Sequence, residues 1–337
     1  MSGLRELGEF GFIDQVGRLA GPAADEIIAA IGDDCAVIDS GGPEKLLVTT
    51  DAALEGRHFD LTWMTAFEAG QRTAAGAISD IAAMGGRPFA CLCTAAIPAT
   101  ADADVALELM RGVADTARRY GAPLIGGDTI GAFERLMIDL VVLGWAKAPW
   151  RRSGAQVGDR LLLTGNIGQA GAALELLTRD PQRILEPRFA ELRARLVDPM
   201  PRLAEAGVLA PSGLVHAAID VSDGLYQDAG HIARESGVAI GIEVSRLPVA
   251  DSCRQAAELF KHDALWWAAT GGEEYELLLA VSKSDVPEVL SLAQDSGLAP
   301  LTQIGFVQAG KGVVLAREDG SHVELERGGW DHFRTQE

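Results

Sequence analysis

Strand-like and helix-like segments alternate in both halves of the chain, and this alternation predicts an α/β (α+β) protein of two domains. Two further observations agree. At 337 residues the chain holds material for two cores of ordinary size. The segment KAPWRRSGAQVGD at 147–159, with its proline, glycines and paired arginines, reads as a linker, so residues 1–147 and 148–337 are the predicted domains.

The elements follow in order. Residues 9–20 read as a short amphipathic helix, and IGDDCAVID at 31–39 sets Asp33 and Asp34 before an alternating apolar segment. Residues 46–51 form a strand ending in Thr49, Thr50 and Asp51, and the next loop carries His58. Residues 65–84 are an alanine-rich helix stopped by Gly85 and Gly86. Asp80 lies inside that helix among small apolar residues, where an aspartate is a poor helix former. A strand at 88–98, a helix at 102–120 and a strand at 135–146 complete this half. Between the last two, PLIGGDTIG at 123–131 is a short apolar run ending in Gly126 and Gly127, followed by Asp128. Glycines there let a backbone approach a ligand closely.

The second half begins with a strand, a glycine-rich turn and a helix over 160–177, followed by helical sequence at 186–206. In AAIDVSDGLYQD (217–228) an apolar run stops at Asp220, and Ser222 and Asp223 come just before a glycine and a helix that runs to about Ser236. Ser222 or Asp223 either caps that helix or joins a metal site at the carboxyl end of a strand, where open α/β sheets bind ligands. A strand at 238–244 and helices within 251–270 come next. TGGEEYELLLAV (270–281) is a glycine pair, then Glu273 and Glu274, then a strand. A helix at 284–297 and strands near 300–307 and 312–317 precede the terminal GGWDHF at 328–333.

Two glycine patterns are excluded. Gly165, Gly168 and Gly171 follow G-x-x-G-x-x-G, which is not the dinucleotide-binding spacing. GFVQAGKG at 305–312 ends in glycine where a P-loop needs a hydroxyl, and a strand rather than a helix follows it.

A net charge of −19 excludes non-specific nucleic-acid binding, which needs a positive field. Anionic substrates would require bridging cations or local arginines. The N-terminal sequence has no continuous apolar stretch of the kind found in a signal peptide, and no run of 18 apolar residues predicts a membrane span. Cys35, Cys91, Cys93 and Cys253 read as buried free thiols, which suits a reducing cytoplasm.

Carboxylates recur beside glycine or small residues at element ends: Asp33 and Asp34, Asp51, Asp80, Asp128, and Asp220 with Asp223. Converging carboxylates raise one another's pKa unless a cation is present. An all-oxygen set favours magnesium, manganese or calcium, whereas zinc would want a His/Cys cluster that this chain lacks. The scattered spacing does not match a calcium loop. Magnesium takes a few carboxylates and keeps positions for substrate phosphates, so phosphoryl transfer is the chemistry that this pattern favours.

IGDDCAV, TTDAALEGRHF, AISDIAAMGG, IGGDT, RRSGAQVGD, AIDVSDGL, GGEEYEL and GWDHF, in this order from about residue 9 to 333, resemble the thiamine-monophosphate kinases. These belong to a superfamily with aminoimidazole ribonucleotide synthetase, selenophosphate synthetase and a hydrogenase-maturation factor. The resemblance implies a two-domain aminoimidazole ribonucleotide synthetase-like fold of mixed sheets with helices packed on them. It implies an N-terminal domain that binds ATP and magnesium and forms a homodimer, and a C-terminal domain that completes the site. The implied reaction is ATP plus thiamine monophosphate giving thiamine diphosphate plus ADP, with no general base and several magnesium ions. Carried over motif by motif, Asp34, Thr49, Thr50, Asp51, Asp80, Asp128, Asp220 and Asp223 would surround the metals. Gly127, Arg152 and Ser222 would contact ATP, and His58, Glu273 and Trp330 the thiamine phosphate. Read without the resemblance, His58 is a surface-loop histidine, Arg152 a linker charge, and Trp330 either a stacking platform or a core anchor. The chain departs from the family pattern at Ala52 and Ala53, at Ala77 in place of an asparagine, and at Glu274 in place of an aspartate. The alternatives are another ATP-dependent enzyme of the superfamily, such as an aminoimidazole ribonucleotide synthetase, and a non-catalytic metal- or nucleotide-binding regulator.

Overall fold

The computed structural model describes residues 4–21, 23–261, 263–323, 325, 329–330 and 332–333. The chain opens with helix α1 (Leu4–Ala20), kinked at Gly8, whose φ of 70° interrupts the turn. Then come β1 (Ile27–Ala29), β2 (Ala36–Ile38), β3 (Lys45–Leu54), α2 (Ala66–Ala83), β4 (Arg87–Pro98), α3 (Ala103–Arg119), β5 (Leu124–Ala132) and β6 (Met137–Ala146). These strands make a six-stranded sheet in the order β1-β2-β3-β6-β4-β5. All its pairs are antiparallel except β4–β5.

The second half contributes β7 (Arg160–Thr164), α4 (Gln169–Arg179), α5 (Ala190–Val197), α6 (Leu203–Leu209), β8 (Val215–Asp220) and α7 (Leu225–Ser236). It continues with β9 (Ala239–Glu243), α8 (Asp251–Phe260), α9 (Leu265–Thr270), β10 (Leu277–Val281), α10 (Val286–Asp295), β11 (Leu301–Gln308), β12 (Gly312–Ala316) and β13 (His322–Val323). The second sheet runs β13-β12-β9-β11-β7-β10-β8, with only β12–β9 parallel. Both sheets are therefore mixed, and both carry helices. Among the described residues, no helix is long and apolar enough to cross a membrane.

Helix α2 joins the two halves. Thr65 and Glu68 start it with a reciprocal capping box, each side chain accepting the other residue's backbone N–H. Its neighbour α3 lies unusually close: a Cβ added at Gly70 would stand 2.0 Å from the Leu109 carbonyl oxygen, and one at Gly112 2.0 Å from that of Phe67. One face of α2 buries Ile78 and Ile81 with Leu47, Leu140 and Val142 of the first sheet. It also packs on β8 and α6 of the second half. A helix gripped on both sides is a rigid mount for whatever it carries between the sheets.

Three expectations differ from the structure. The helical sequence at 186–206 is not one helix: α5 ends at Val197 and α6 starts at Leu203. Pro199 and Pro201 fall in the gap, and proline can neither donate a backbone hydrogen bond nor leave its predecessor helical. The run at 123–131 does not stop at its glycines but continues as edge strand β5 to Ala132. The strand in TGGEEYELLLAV starts only at Leu277, because Glu273 and Tyr275 adopt left-handed φ values of 62° and 52°.

Candidate active site

Strand alternation on β3 sends Thr49 and Asp51 toward α2 and Thr50 to the opposite face. Thr49 is buried, and its hydroxyl donates to Asp80 Oδ2 at 2.5 Å. Thr50 donates to Asp139 Oδ1 at 2.7 Å. Along α2, Arg72, Gly76 and Asp80 recur every four residues, so one stripe of the helix faces the space between the sheets. Ser79, beside that stripe, donates to Asp220 Oδ2 at 2.6 Å, tying α2 to the carboxyl end of β8.

Asp34, Asp80 and Asp220 converge here from the loop before β2, from α2 and from β8, with one oxygen of each within 4.8 Å of the others. All three have raised pKa values. Burial is the first cause at each, with Asp220 pushed up to about 7 and Asp80 held well above the carboxylate range. Repulsion adds to it: Asp220 and Asp34 raise Asp80, and Asp34 raises Asp220. Arg152 is the opposing charge, donating through Nε and Nη2 to Asp34 Oδ1 at 3.1 and 2.6 Å. Asp34 Oδ2 is buried without a hydrogen-bond partner. An orphaned carboxylate oxygen in an all-oxygen, mutually repelling set fits a hard divalent cation. Asp33 braces the arrangement by accepting from Arg151 Nε at 2.7 Å and from the Arg152 N–H at 3.0 Å.

Asp51 and Asp223 flank this cluster, and both are pushed up to about 6, first by burial. The turn that carries Ser222 and Asp223 is organised by Asp228, whose Oδ2 accepts the N–H groups of Ser222, Asp223 and Gly224 at 3.1, 3.2 and 3.0 Å. Helix α7 has Gly224 at its N-cap and no side-chain cap, so the capping alternative for Ser222 and Asp223 is not the arrangement found.

A cavity of about 900 Å³ opens beside these groups, between β3, α2, α4, α9 and residues Gly329, Trp330 and His332. Thr50, Asp51, Asp80, Asp220, Ser222 and Asp223 reach it, as do His58, Glu273 and Trp330. His58 accepts the Leu54 N–H at 3.0 Å through Nδ1, and its pKa falls to about 4, first through burial and then through His332, Arg57 and Arg72. Glu273 is ion-paired with Arg72, whose Nη1 also donates to the Leu196 carbonyl at 2.6 Å. Trp330 is anchored by its backbone: its N–H donates to the Asp223 carbonyl at 3.2 Å, and its carbonyl accepts from Gln227 Nε2 at 2.7 Å. Gly328 and Asp331 of the terminal motif lie outside the described residues.

Gly127 and Asp128 do not join the group within one chain. β5 is the outer edge strand, separated from β3 by β4 and β6. Asp128 is exposed, and one of its oxygens accepts the N–H of Thr129. Gly127 serves close strand packing there, since a Cβ would stand 1.8 Å from the Cys93 carbonyl oxygen. Of the departures from the family pattern, Ala52 and Ala53 line the cavity, whereas Ala77 is buried in the first core. Glu274 is fully buried and accepts the Ala170 N–H at the start of α4 at 3.0 Å. Burial pushes it up to about 7 against the opposing charge of Arg195.

Sequence reasoning missed Arg57, Arg72 and Asp228. Arg72 had a signal, its place on the stripe with Asp80. Asp228 sits four residues after Gly224 on α7, an ordinary exposed-helix position by pattern. Arg57 had none.

Models of AIR synthase related proteins match the chain, the N-terminal domain over residues 32–146 and the C-terminal domain over 156–317. The chain is 31% identical to the thiamine-monophosphate kinase of Aquifex aeolicus, over 98% of this chain and 99% of that one. It is 33% identical to the thiamine-monophosphate kinase of Escherichia coli K12, over 97% and 99%. The solved complex of AaThiL with AMPPCP and TMP superposes with a TM-score of 0.86 at 30% identity, covering 98% of this chain and 99% of that one. HypE of E. coli, a hydrogenase maturation protein, shares the fold at 23% identity, with a TM-score of 0.69 over 94% of this chain and 98% of that one.

Proposed function

The chain belongs to the AIR synthase related family and, within it, to the thiamine-monophosphate kinases, and from that premise we propose that it transfers the γ-phosphoryl group of ATP to thiamine monophosphate, giving thiamine diphosphate and ADP. The observation that carries the reading at the site is the buried, mutually repelling set Asp34, Asp80 and Asp220, of which Asp80 and Asp220 line a cavity of about 900 Å³. The acceptor is already a phosphate oxyanion, so no general base is needed. The barrier is bringing two polyanions together in line.

Asp34, Asp80 and Asp220, with Asp51, Asp223 and Thr49 around them, are the residues that would hold magnesium, and Thr50, on the opposite face of β3, is assigned to metal with Asp128. Bound magnesium neutralises phosphate charge and orients the transferred group. The protein's own part is positional. Thr49 and Ser79 fix the Asp80 and Asp220 carboxylates, Arg152 balances Asp34, and Asp228 holds the 222–224 backbone in place. Ser222 and Arg152 are assigned to ATP, and His58, Glu273 and Trp330 to the thiamine phosphate. His58 is neutral at physiological pH, so it offers a hydrogen bond rather than a charge.

Residues 1–147 are assigned to ATP and magnesium binding and to dimerisation, and residues 148–337 to completing the site. The break between the two sheets supports that division. A homodimer through the N-terminal sheet is supported by its outer face, where Leu46, Val48, Leu92, Val141 and Leu143 stay half-exposed, and by Ile125 and Ile130 on the edge strand. Strand register puts Thr50, Asp139, Thr94 and Asp128 on that same face. Gly127 and Asp128 are therefore assigned to ATP and metal across the dimer, reaching the site of a second copy. A cytoplasmic location goes with the buried free thiols.

The test is purified protein with ATP, magnesium and thiamine monophosphate, with ADP and thiamine diphosphate measured together. Folded protein that makes neither refutes the reading. ADP release stimulated by another acceptor would move it to a different member of the superfamily.

A further inference from the structure

Three arginines line the cavity, and they are held differently. Arg179 is ion-paired with Glu175 and lies over the Phe260 ring. Arg72 is buried and fixed by Glu273 and the Leu196 carbonyl. Arg57 is exposed, and its guanidinium meets Trp330 and His332. Its Cζ lies 4.4 Å from the centre of the Trp330 ring, and its Nη2 donates to the His332 carbonyl at 3.0 Å. Trp330 is pinned at its backbone, so the movable member of the pair is the arginine. An aromatic face is a site for a cation. In this structure the chain's own cation occupies it.

The acceptor of the proposed reaction carries a cationic thiazolium ring at one end and a phosphate at the other. Glu273 is already neutralised by Arg72, and Trp330, assigned above to this ligand, offers the cationic ring an aromatic face in the cavity. That ring can take this face only by displacing the guanidinium. We propose that Arg57 is a specificity-determining residue that exchanges partners: the ring replaces it on Trp330, and Arg57 turns to the acceptor's phosphate. Each cation keeps a favourable contact, and because a charge-assisted bond to phosphate is worth more than an exposed cation–π contact, the exchange favours a phosphorylated ligand. A ligand with the same ring but no phosphate expels Arg57 and gives it nothing in return. Binding of the ring thus becomes conditional on the phosphate. This inference rests on the kinase reading above.

The experiment measures dissociation constants of thiamine and of thiamine monophosphate for the full chain with magnesium, by calorimetry, for wild type, Arg57→Gln and Arg57→Lys. Loss of the competing cation should tighten thiamine binding about 3-fold in Arg57→Gln, the scale of a cation–π contact. Loss of the phosphate contact should weaken thiamine monophosphate about 10-fold, the scale of a charge-assisted bond. The preference for the phosphorylated ligand then shrinks about 30-fold. Arg57→Lys, which keeps the charge, should retain most of that preference. If the two ligands move together, in either direction, or if neither moves, the exchange is wrong and Arg57 merely anchors the C-terminal segment. A wild-type chain that does not bind thiamine monophosphate overturns the kinase reading itself, and this inference with it, before any variant is compared.

Discussion

Two groups of buried carboxylates in this molecule have opposite characters. In the second domain, Glu276 is fully buried, yet both its oxygens are engaged. It accepts from Thr164 Oγ1 at 2.5 Å and from Arg202 Nε at 2.6 Å, and it is ion-paired with Arg195 and Arg202. Glu205 adds a second acid beside Arg202, so two arginines face two carboxylates. Between the domains, Asp34, Asp80 and Asp220 have one arginine among them, Arg152, and an oxygen with no partner. Burial is common to both groups, so burial does not mark function. What differs is compensation of charge rather than satisfaction of every polar atom, since Arg195 Nε in the first group is also buried without a hydrogen-bond partner. A closed network is finished when the chain folds, whereas an open one is stabilised by something the chain does not contain.

The comparison breaks most readily at the closed network. Glu276→Gln leaves two guanidinium groups facing a neutral amide, and breaking a buried pair in this way costs about 3–5 kcal/mol. Thermal unfolding should show a large loss of stability, while turnover per folded molecule stays within a few-fold of wild type. A variant that melts like wild type, or that loses activity without losing stability, would mean that this network is not merely structural.

The next effect is of the opposite kind. Asp220→Asn keeps an acceptor for Ser79 but removes a charge from the repelling set. Turnover should fall by about 100-fold or more, the scale of losing one group that stabilises transferring charge, or ~2.7 kcal/mol of barrier. Stability without metal should hold or rise, since a repulsion is removed. Magnesium should raise the melting temperature of wild type and leave that of the variant unchanged. If magnesium stabilises both alike, the ion binds elsewhere.

The same contrast explains what the sequence could and could not disclose. Features set by near neighbours were legible. The helix expected at 65–84 is α2, ended at Gly85 and Gly86, and the apolar run before Asp220 stops where predicted. Convergence of Asp34, Asp80 and Asp220 was legible as chemistry, because each is an acid in a place that disfavours acids. Compensation was not legible, because it depends on partners distant in the chain. Arg72 beside Glu273 and Arg57 over the Trp330 ring are both distant in sequence from the residues they meet. Asp128 has the local pattern of its fellow acids, yet sheet order puts it at the far edge of the sheet. No local pattern encodes strand order.

The smallest effect lies between the two groups, at His58, whose charge is neither paired nor wanted. Its pKa in the folded chain is about 4 against an ordinary 6.5, because burial and the neighbouring His332, Arg57 and Arg72 disfavour the imidazolium. Above pH 6.5 the ring is neutral in both the folded and unfolded chain and makes no pH-dependent contribution. Between 6.5 and 4 the unfolded chain binds the proton and the folded one does not, so stability falls as pH falls. Below about 4 both forms are protonated and the loss levels off. Asp51 and Asp223, raised to about 6, act with the opposite sign, since their folded forms take up protons first and gain stability as pH falls through that region. The total profile therefore mixes two trends, and a difference profile separates them. His58→Asn retains an acceptor for the Leu54 N–H and removes the titration. Measured by denaturant unfolding, it should run parallel to wild type above pH 6.5 and gain on it steadily down to pH 4. The gain should be smaller than the pKa difference alone implies, because the ring is only half-buried and solvent screens it. Parallel curves across the whole range would mean that His58 titrates in the folded chain as it does in water, and that this wall of the cavity is open to solvent.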